Sequence, residues 1–110
     1  MQWFVETLPQ VDAEIDALPS GLRARLIRLF EVIEAHGLEN IHEPHAKHLE
    51  GKLSELRVSA REGIARGIYV SMRDKRVMVL HVFEKKTQKT PKRVMDLALA
   101  RLKGLAEGAR

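Results

Sequence analysis

The sequence predicts an α+β domain: a small antiparallel sheet with an N-terminal helical hairpin and a C-terminal helix, in the order β-α-α-β-β-β-α. Three observations predict it. Apolar residues recur at helical spacing near both ends of the chain and at strand spacing in between. The three later strand-like runs are joined by connections of hairpin length, so neighbours pair antiparallel. At 110 residues and 45% hydrophobic composition, the chain fills one core and has no length for a second domain.

Trp3 to Leu8 is short, aromatic and β-branched, and reads as a strand ending before Pro9. Pro9 suits a first helical turn, and Val11, Ile15 and Leu18 follow at helical spacing among Asp12, Glu14 and Asp16. Leu18-Pro19-Ser20-Gly21 breaks that helix, with Ser20 as the expected N-cap of the next. Leu22, Leu26, Leu29, Phe30 and Ile33 form its apolar stripe, and His36-Gly37 signals its end. Residues 38–51 hold Pro44 and Gly51 without a sustained period and read as a surface loop.

In Leu53–Ala60, alternation sets Leu56, Val58 and Ala60 on one face and Glu55, Arg57 and Ser59 on the other. Ile64–Met72 and Arg76–Glu84 follow, linked by Arg73-Asp74-Lys75. Val77 to Phe83 is apolar on both faces, which places it inside the sheet. Thr90-Pro91 reads as an N-cap and first turn, and Val94, Leu97, Ala98, Leu102 and Leu105 continue as the last helical stripe.

Net charge is +4, but residues 1–55 carry five Lys/Arg against ten Asp/Glu while residues 56–110 carry fourteen against five. A basic half of this kind points to a polyanionic partner, nucleic acid first. The absence of cysteine excludes disulfide scaffolds, thiolate metal sites and Cys nucleophiles. The N-terminus lacks a basic segment followed by a long apolar run, so a soluble, cytoplasmic protein without membrane association is expected. No phosphate-binding glycine loop, Gly-x-Ser-x-Gly elbow or His-Glu-x-x-His helix occurs, and no cofactor is expected.

Five of the nine residues from Lys85 to Arg93 are basic, between a strand and a helix N-terminus, a position that suits a phosphodiester or is simply a solvated loop. Alternation sets Arg66 with Ile64, Ile68 and Val70 unless Gly67 marks a bulge. Two readings are open for its guanidinium: a salt bridge to a helical carboxylate, or a phosphate clamp. His81 is either a satisfied sheet histidine or a proton carrier. Tyr69 stacks on a base, delivers a proton or packs on the sheet. His42, His45 and His48 have a tempting spacing, but Pro44 and the lack of a supporting carboxylate pattern argue against a metal site.

The segments Lys-His-Leu-Glu-Gly-Lys-Leu-Ser-Glu-Leu-Arg-Val (47–58), Gly-Ile-Ala-Arg-Gly-Ile-Tyr-Val (63–70) and Val-Leu-His-Val-Phe-Glu-Lys-Lys-Thr-Gln-Lys-Thr-Pro (79–91) resemble the HigB-type, phage-derived branch of the RelE/ParE toxin superfamily. With the helical hairpin ahead of them, the resemblance covers nearly the whole chain. It implies a RelE/ParE-like fold and the toxin of a type II toxin–antitoxin pair. Such a toxin is a ribosome-dependent messenger-RNA endonuclease that works without metal and is neutralised by a helix-turn-helix antitoxin, through which alone it reaches operator DNA. Carried over by motif, Arg57 and Arg66 hold phosphate, Lys85 and Lys86 neutralise developing charge, and Tyr69 helps place a base. His81 carries the proton, and Lys89 and Lys92 extend the RNA contact. Relatives often have an aromatic residue where this chain has Ser54, and a β-branched one at Gly67, departures that bear on base stacking and on the strand beside the site. Two other readings fit the charge: a gyrase-poisoning toxin of the same fold, and a non-catalytic nucleic-acid or antitoxin-binding module.

Overall fold

The computed structural model describes residues 2–85 and 89–108. Its elements are β1 (Phe4–Thr7), α1 (Pro9–Asp16), α2 (Ser20–His36), a 3₁₀ turn (Leu38–Asn40), β2 (Ala46–Glu50), β3 (Leu53–Ala60), β4 (Gly63–Met72), β5 (Arg76–Glu84) and α3 (Lys92–Gly108). The sheet has five strands in the order β1-β5-β4-β3-β2. β2 to β5 pair antiparallel as a meander, while β1 joins β5 in parallel through Phe4↔Arg76 to Thr7↔Val79. The sheet is therefore mixed, because the helical hairpin carries the chain across the sheet before the meander begins.

Both faces are covered. Val11, Ile15, Leu22, Leu26 and Ile33 of the helical hairpin pack on Leu56, Val58, Tyr69, Val77 and Val79. Val94 and Ala98 of α3 pack on Leu53, Ile68, Val70, Met78 and Leu80. This explains why β5, paired on both edges, is apolar on both sides. Its alternation slips once: a bulge opposite Ile68 and Tyr69 puts Val79 and Val82 on the hairpin side with two residues between them.

Three local expectations are corrected. The stretch 38–51 contains the 3₁₀ turn and β2 rather than only loop. β2 is a polar edge strand without β-branched or aromatic residues, so its sequence lacks the usual strand signal. Ser20 opens α2 but makes no side-chain cap; instead the Glu62 carboxylate, from the β3–β4 turn, accepts the Gly21 N–H at 2.9 Å. Thr90 likewise stands two residues ahead of α3, which starts at Lys92, and its hydroxyl is engaged elsewhere. No helix of the described residues is long and apolar enough to cross a membrane.

Candidate functional site

α3 covers only part of its sheet face, and a cleft of about 250 Å³ remains between the start of that helix and the β2–β3–β4 surface. Glu55, Arg57 and Arg66 line it, with Lys47 from β2 and Lys89, Thr90 and Met95 from the approach to α3. The register accounts for this convergence. Arg57 and Arg66 are direct cross-strand partners, and Glu55 is two residues from Arg57 on the same face.

Two guanidinium groups opposite each other repel, so this pairing needs a counter-charge. Glu55 supplies it from a fully buried position, with its side chain only 1% exposed. One carboxylate oxygen accepts from Arg66 Nη1 at 3.1 Å and from the Thr90 hydroxyl at 2.9 Å; the other lies 3.4 Å from Arg57 Nη2. Arg66 Nη1 also donates to Thr90 Oγ1 at 2.7 Å. One carboxylate is thus shared by two guanidiniums. Arg57 Nε is enclosed without an acceptor among the described residues.

Lys85 extends the sheet one residue past β5, its N–H donating to the Ile64 carbonyl at 2.8 Å. Its ammonium belongs to the same electrostatic cluster. Loss of surrounding water pushes its pKa below the ordinary value, and the positive charges of Arg66 and Arg57 push the same way; Glu55 opposes them and Lys47 adds a further lowering.

The structure answers the question left open at Arg66. The β3–β4 register runs unbroken from Ser54↔Tyr69 to Ala60↔Gly63, so Gly67 marks no bulge there. A Cβ at Gly67 would meet Val82 and Val79 at ordinary contact distances, 3.5 and 3.7 Å, so the position does not require glycine. Arg66 stays on the α3 side, and the carboxylate paired with it comes from strand β3, not from a helix.

Other candidates fall elsewhere. Tyr69 is 6% exposed in the core beneath the helical hairpin, on the face opposite Arg66, because it is an odd number of residues along the same strand. Burial raises its pKa, against a smaller lowering from its cross-strand neighbour Ser54. That ring offers no free face for a base. Lys92 is an exposed first residue of α3, 3.4 Å from Asp96. Lys89 is exposed and lines the cleft, and Lys86 lies outside the described residues.

His81 sits at the β5 bulge in a different network. Its Nδ1 is 2.9 Å from Glu14, whose carboxylate also accepts from Arg101 at 2.9 Å and from the Val82 N–H at 3.0 Å. Its ring stacks on Phe83, the cross-strand partner of Arg66, with centroids 5.3 Å apart. Burial lowers the His81 pKa, against Glu14, which favours the charged form. Of the nearby histidines, His48 Nε2 meets the Gly51 carbonyl at 2.9 Å and His45 lies near the Arg57 carbonyl.

Glu55 and Thr90 are the members that sequence reading passed over. A signal existed: Arg66, set by alternation among apolar residues, needs an acceptor, and Glu55 shares its face. No pattern in the sequence brings Thr90 to the same point.

No curated protein matches the chain. Among solved structures, the free toxin RelE of Escherichia coli superposes with a TM-score of 0.65 at 21% identity, covering 93% of this chain and 99% of that one. A chain of the archaeal RelE-RelB complex from Pyrococcus horikoshii gives 0.58 at 26% identity, over 78% of this chain and 98% of that one. A chain of the toxin-antitoxin complex RelBE2 from Mycobacterium tuberculosis gives 0.59 at 14%, over 77% and 100%. The fold is that of RelE toxins. The family described as "Phage derived protein Gp49-like (DUF891)" matches residues 13–103, which takes in the helical hairpin, the meander and most of α3, and the chain belongs to that family.

Proposed function

We propose that the chain is the toxin of a type II toxin–antitoxin pair, in the HigB-type branch of the RelE/ParE superfamily, and that it cuts messenger RNA on the ribosome. The observation that carries this reading is the gathering of Arg57, Arg66, Lys47 and Lys89 around buried Glu55 at an open cleft, with Lys85 near enough to feel the same charges. A cleft lined by Lys47, Arg57, Arg66 and Lys89 against Glu50 and Glu55 carries surplus positive charge and suits a phosphodiester, whose charge grows in the transition state.

In the reaction, the 2′-oxygen loses its proton to a base and bonds to phosphorus, while the bond from phosphorus to the 5′-oxygen breaks. The products are a 2′,3′-cyclic phosphate and a 5′-hydroxyl. Arg57 and Arg66 bind the non-bridging oxygens; their planar donor sets match phosphate geometry. Lys85, with its lowered pKa, is a stronger acid than an ordinary lysine and delivers the proton to the departing 5′-oxygen. Lys86 adds charge, and Lys89 and Lys92 guide the strand toward the cleft. His81, held by Glu14, supports the bulge in this reading instead of carrying the proton. Since related RelE chains are solved as complexes with antitoxins, an antitoxin is the expected protein partner, of helix-turn-helix type by family resemblance. The working compartment is the cytoplasm, with ribosome and messenger RNA as substrate.

The test is a defined messenger RNA incubated with the purified chain, with and without translating ribosomes. Cuts ending in 2′,3′-cyclic phosphate only when ribosomes are present support the proposal, and their loss in Arg57→Ala/Lys85→Ala assigns the site. Intact transcripts in growth-arrested cells overturn it. DNA-damage signalling in such cells instead indicates gyrase poisoning, and salt-sensitive RNA binding without arrest a non-catalytic module.

A further inference from the structure

Tyr69 lies in the core, so a nucleotide whose phosphate sits on Arg57 and Arg66 needs another place for its base. The same cleft has an apolar wall. Leu49 of β2 and Met95 of α3 line it, both half-buried against the cluster that contains Leu53, and Glu50 lines it beside them.

An irregularity in β2 turns Glu50 toward this wall. Lys47 pairs with Glu55 and His48 with Ser54, itself opposite Tyr69, so plain alternation would send Glu50 with His48 to the hairpin side. The register instead slips between His48 and Glu50, and Glu50 comes to lie opposite Leu53, a residue of the α3 side. A bulge re-aims a side chain in this way. Glu55 is held by Arg66 and Thr90, whereas the exposed Glu50 carboxylate enters no hydrogen bond or ion pair among the described residues.

The spacing suits one nucleotide. Leu53, opposite Glu50, and Arg57 are four residues apart on β3, which at a strand's rise is about 13 Å. A phosphate, ribose and base fill that length when arginine and glutamate side chains reach in from its two ends.

We infer that Leu49, Met95 and Glu50 form a base subsite selective for guanine. The inference rests on the proposed function for its class of ligand and carries it further, to which nucleotide the cleft holds. The base lies against Leu49 and Met95, whose polarisable thioether makes favourable contacts with aromatic rings. Glu50 reads the Watson–Crick edge, which is open to proteins on unpaired bases. Both carboxylate oxygens accept and neither donates. Guanine alone sets two donors, N1–H and N2–H, side by side, so it alone engages both oxygens. Adenine and cytosine offer an amino group next to a ring nitrogen with a lone pair, and uracil offers one N–H between two carbonyls. In each of these the second carboxylate oxygen meets a lone pair.

The experiment titrates the full chain with the 3′-monophosphates of guanosine, adenosine, cytidine, uridine and inosine, without ribosome or messenger RNA. Amide chemical shifts of Leu49, Glu50 and Met95 locate binding and give Kd. The guanosine nucleotide should bind at least about tenfold more tightly than those of adenosine, cytidine and uridine. Inosine keeps N1–H and lacks the N2 amino group, so it should fall between. Glu50→Gln keeps the shape but offers one donor and one acceptor, the pattern adenine matches, and should move the preference from guanine to adenine. A merely structural role for Glu50 would not exchange one base for another. Arg57→Ala/Lys85→Ala should weaken all five nucleotides alike and leave their ratios unchanged. Equal binding of the bases, a guanine preference that survives in Glu50→Gln, or no shifts at Leu49, Glu50 and Met95 with any nucleotide would each overturn the inference. The two readings fail separately: selective guanine binding without cleavage of translated messenger RNA sinks the proposed function alone, and cleavage without that selectivity sinks the base subsite alone.

Discussion

Arg57 and Arg66 face each other directly across the β3–β4 ladder, and both guanidiniums lie within hydrogen-bonding range of the same buried carboxylate, Glu55. Like charges in that position oppose pairing of the strands, so Glu55 stabilises the sheet and at the same time fixes where the two guanidiniums point. Thr90 ties the approach to α3 into the same cluster, so the last helix and the site are positioned together.

The first prediction follows from that burial. Glu55→Leu takes the shared carboxylate from both guanidiniums, and Arg66→Met leaves buried Glu55 with only the more distant Arg57; each alone should lower stability by about 3–5 kcal/mol. Glu55→Leu combined with Arg66→Met removes both charges and should recover most of the loss. Urea denaturation of the singles and the double checks this. A double variant as unstable as the sum of its singles would show that the two residues act independently.

For the same reason Arg66→Ala is a poor probe of RNA binding: it perturbs the fold and the site together. Arg57 and Lys85 are better placed, since both are only partly buried and neither is the partner on which Glu55 most depends. Arg57→Ala/Lys85→Ala should keep the native thermal transition and bind single-stranded RNA more weakly. The slope of log K against log salt should shrink by roughly 0.7 for each phosphate no longer neutralised. An unchanged slope would place the RNA elsewhere.

What the sequence disclosed depended on periodicity. The hairpin of Val11, Ile15, Leu22 and Leu26, the three meander strands and the α3 stripe all show a clear period because one side of each is buried. β2 did not, since an edge strand with Lys47, His48 and Glu50 satisfies no burial pattern. Arg57, Arg66 and Lys89 were legible as charges and Glu55 only as a polar-face residue, because the Thr90 hydroxyl that donates to it lies far along the chain. Tyr69 falls away from the cleft for a simpler reason. In Arg66-Gly67-Ile68-Tyr69 the two functional-looking residues are three apart, so on a strand they point to opposite faces.

A pH prediction follows from His81. Burial lowers its pKa from 6.5, so the folded chain favours the neutral ring and the unfolded chain binds more protons just below that value. Stability therefore falls as pH drops below the ordinary histidine value, until the lowered folded pKa is reached. His81→Asn can still present an N–H toward Glu14 but does not titrate. The fall in melting temperature between about pH 7.5 and about pH 5.5 should be smaller in this variant than in the parent chain. A larger fall would mean that Glu14 stabilises a charged imidazole and outweighs burial.

The start of α2 gives the final prediction, in which one substitution changes sign with its background. Gly21 occupies the first turn of α2, where alanine is ordinarily the better helix former by up to about 1 kcal/mol. A Cβ there would crowd a Glu62 carboxylate oxygen, displacing the group that accepts the Gly21 N–H. Loss of a cap costs about 1 kcal/mol, so Gly21→Ala in the parent chain should gain nothing or lose slightly. In a Glu62→Ala background there is no cap to displace, and the same substitution should stabilise by about 0.5–1 kcal/mol. The double-mutant cycle measures the coupling directly: near zero would mean that the Glu62 carboxylate contributes nothing to helix initiation, and about 1 kcal/mol makes it the tertiary substitute for the side-chain cap that Ser20 does not form.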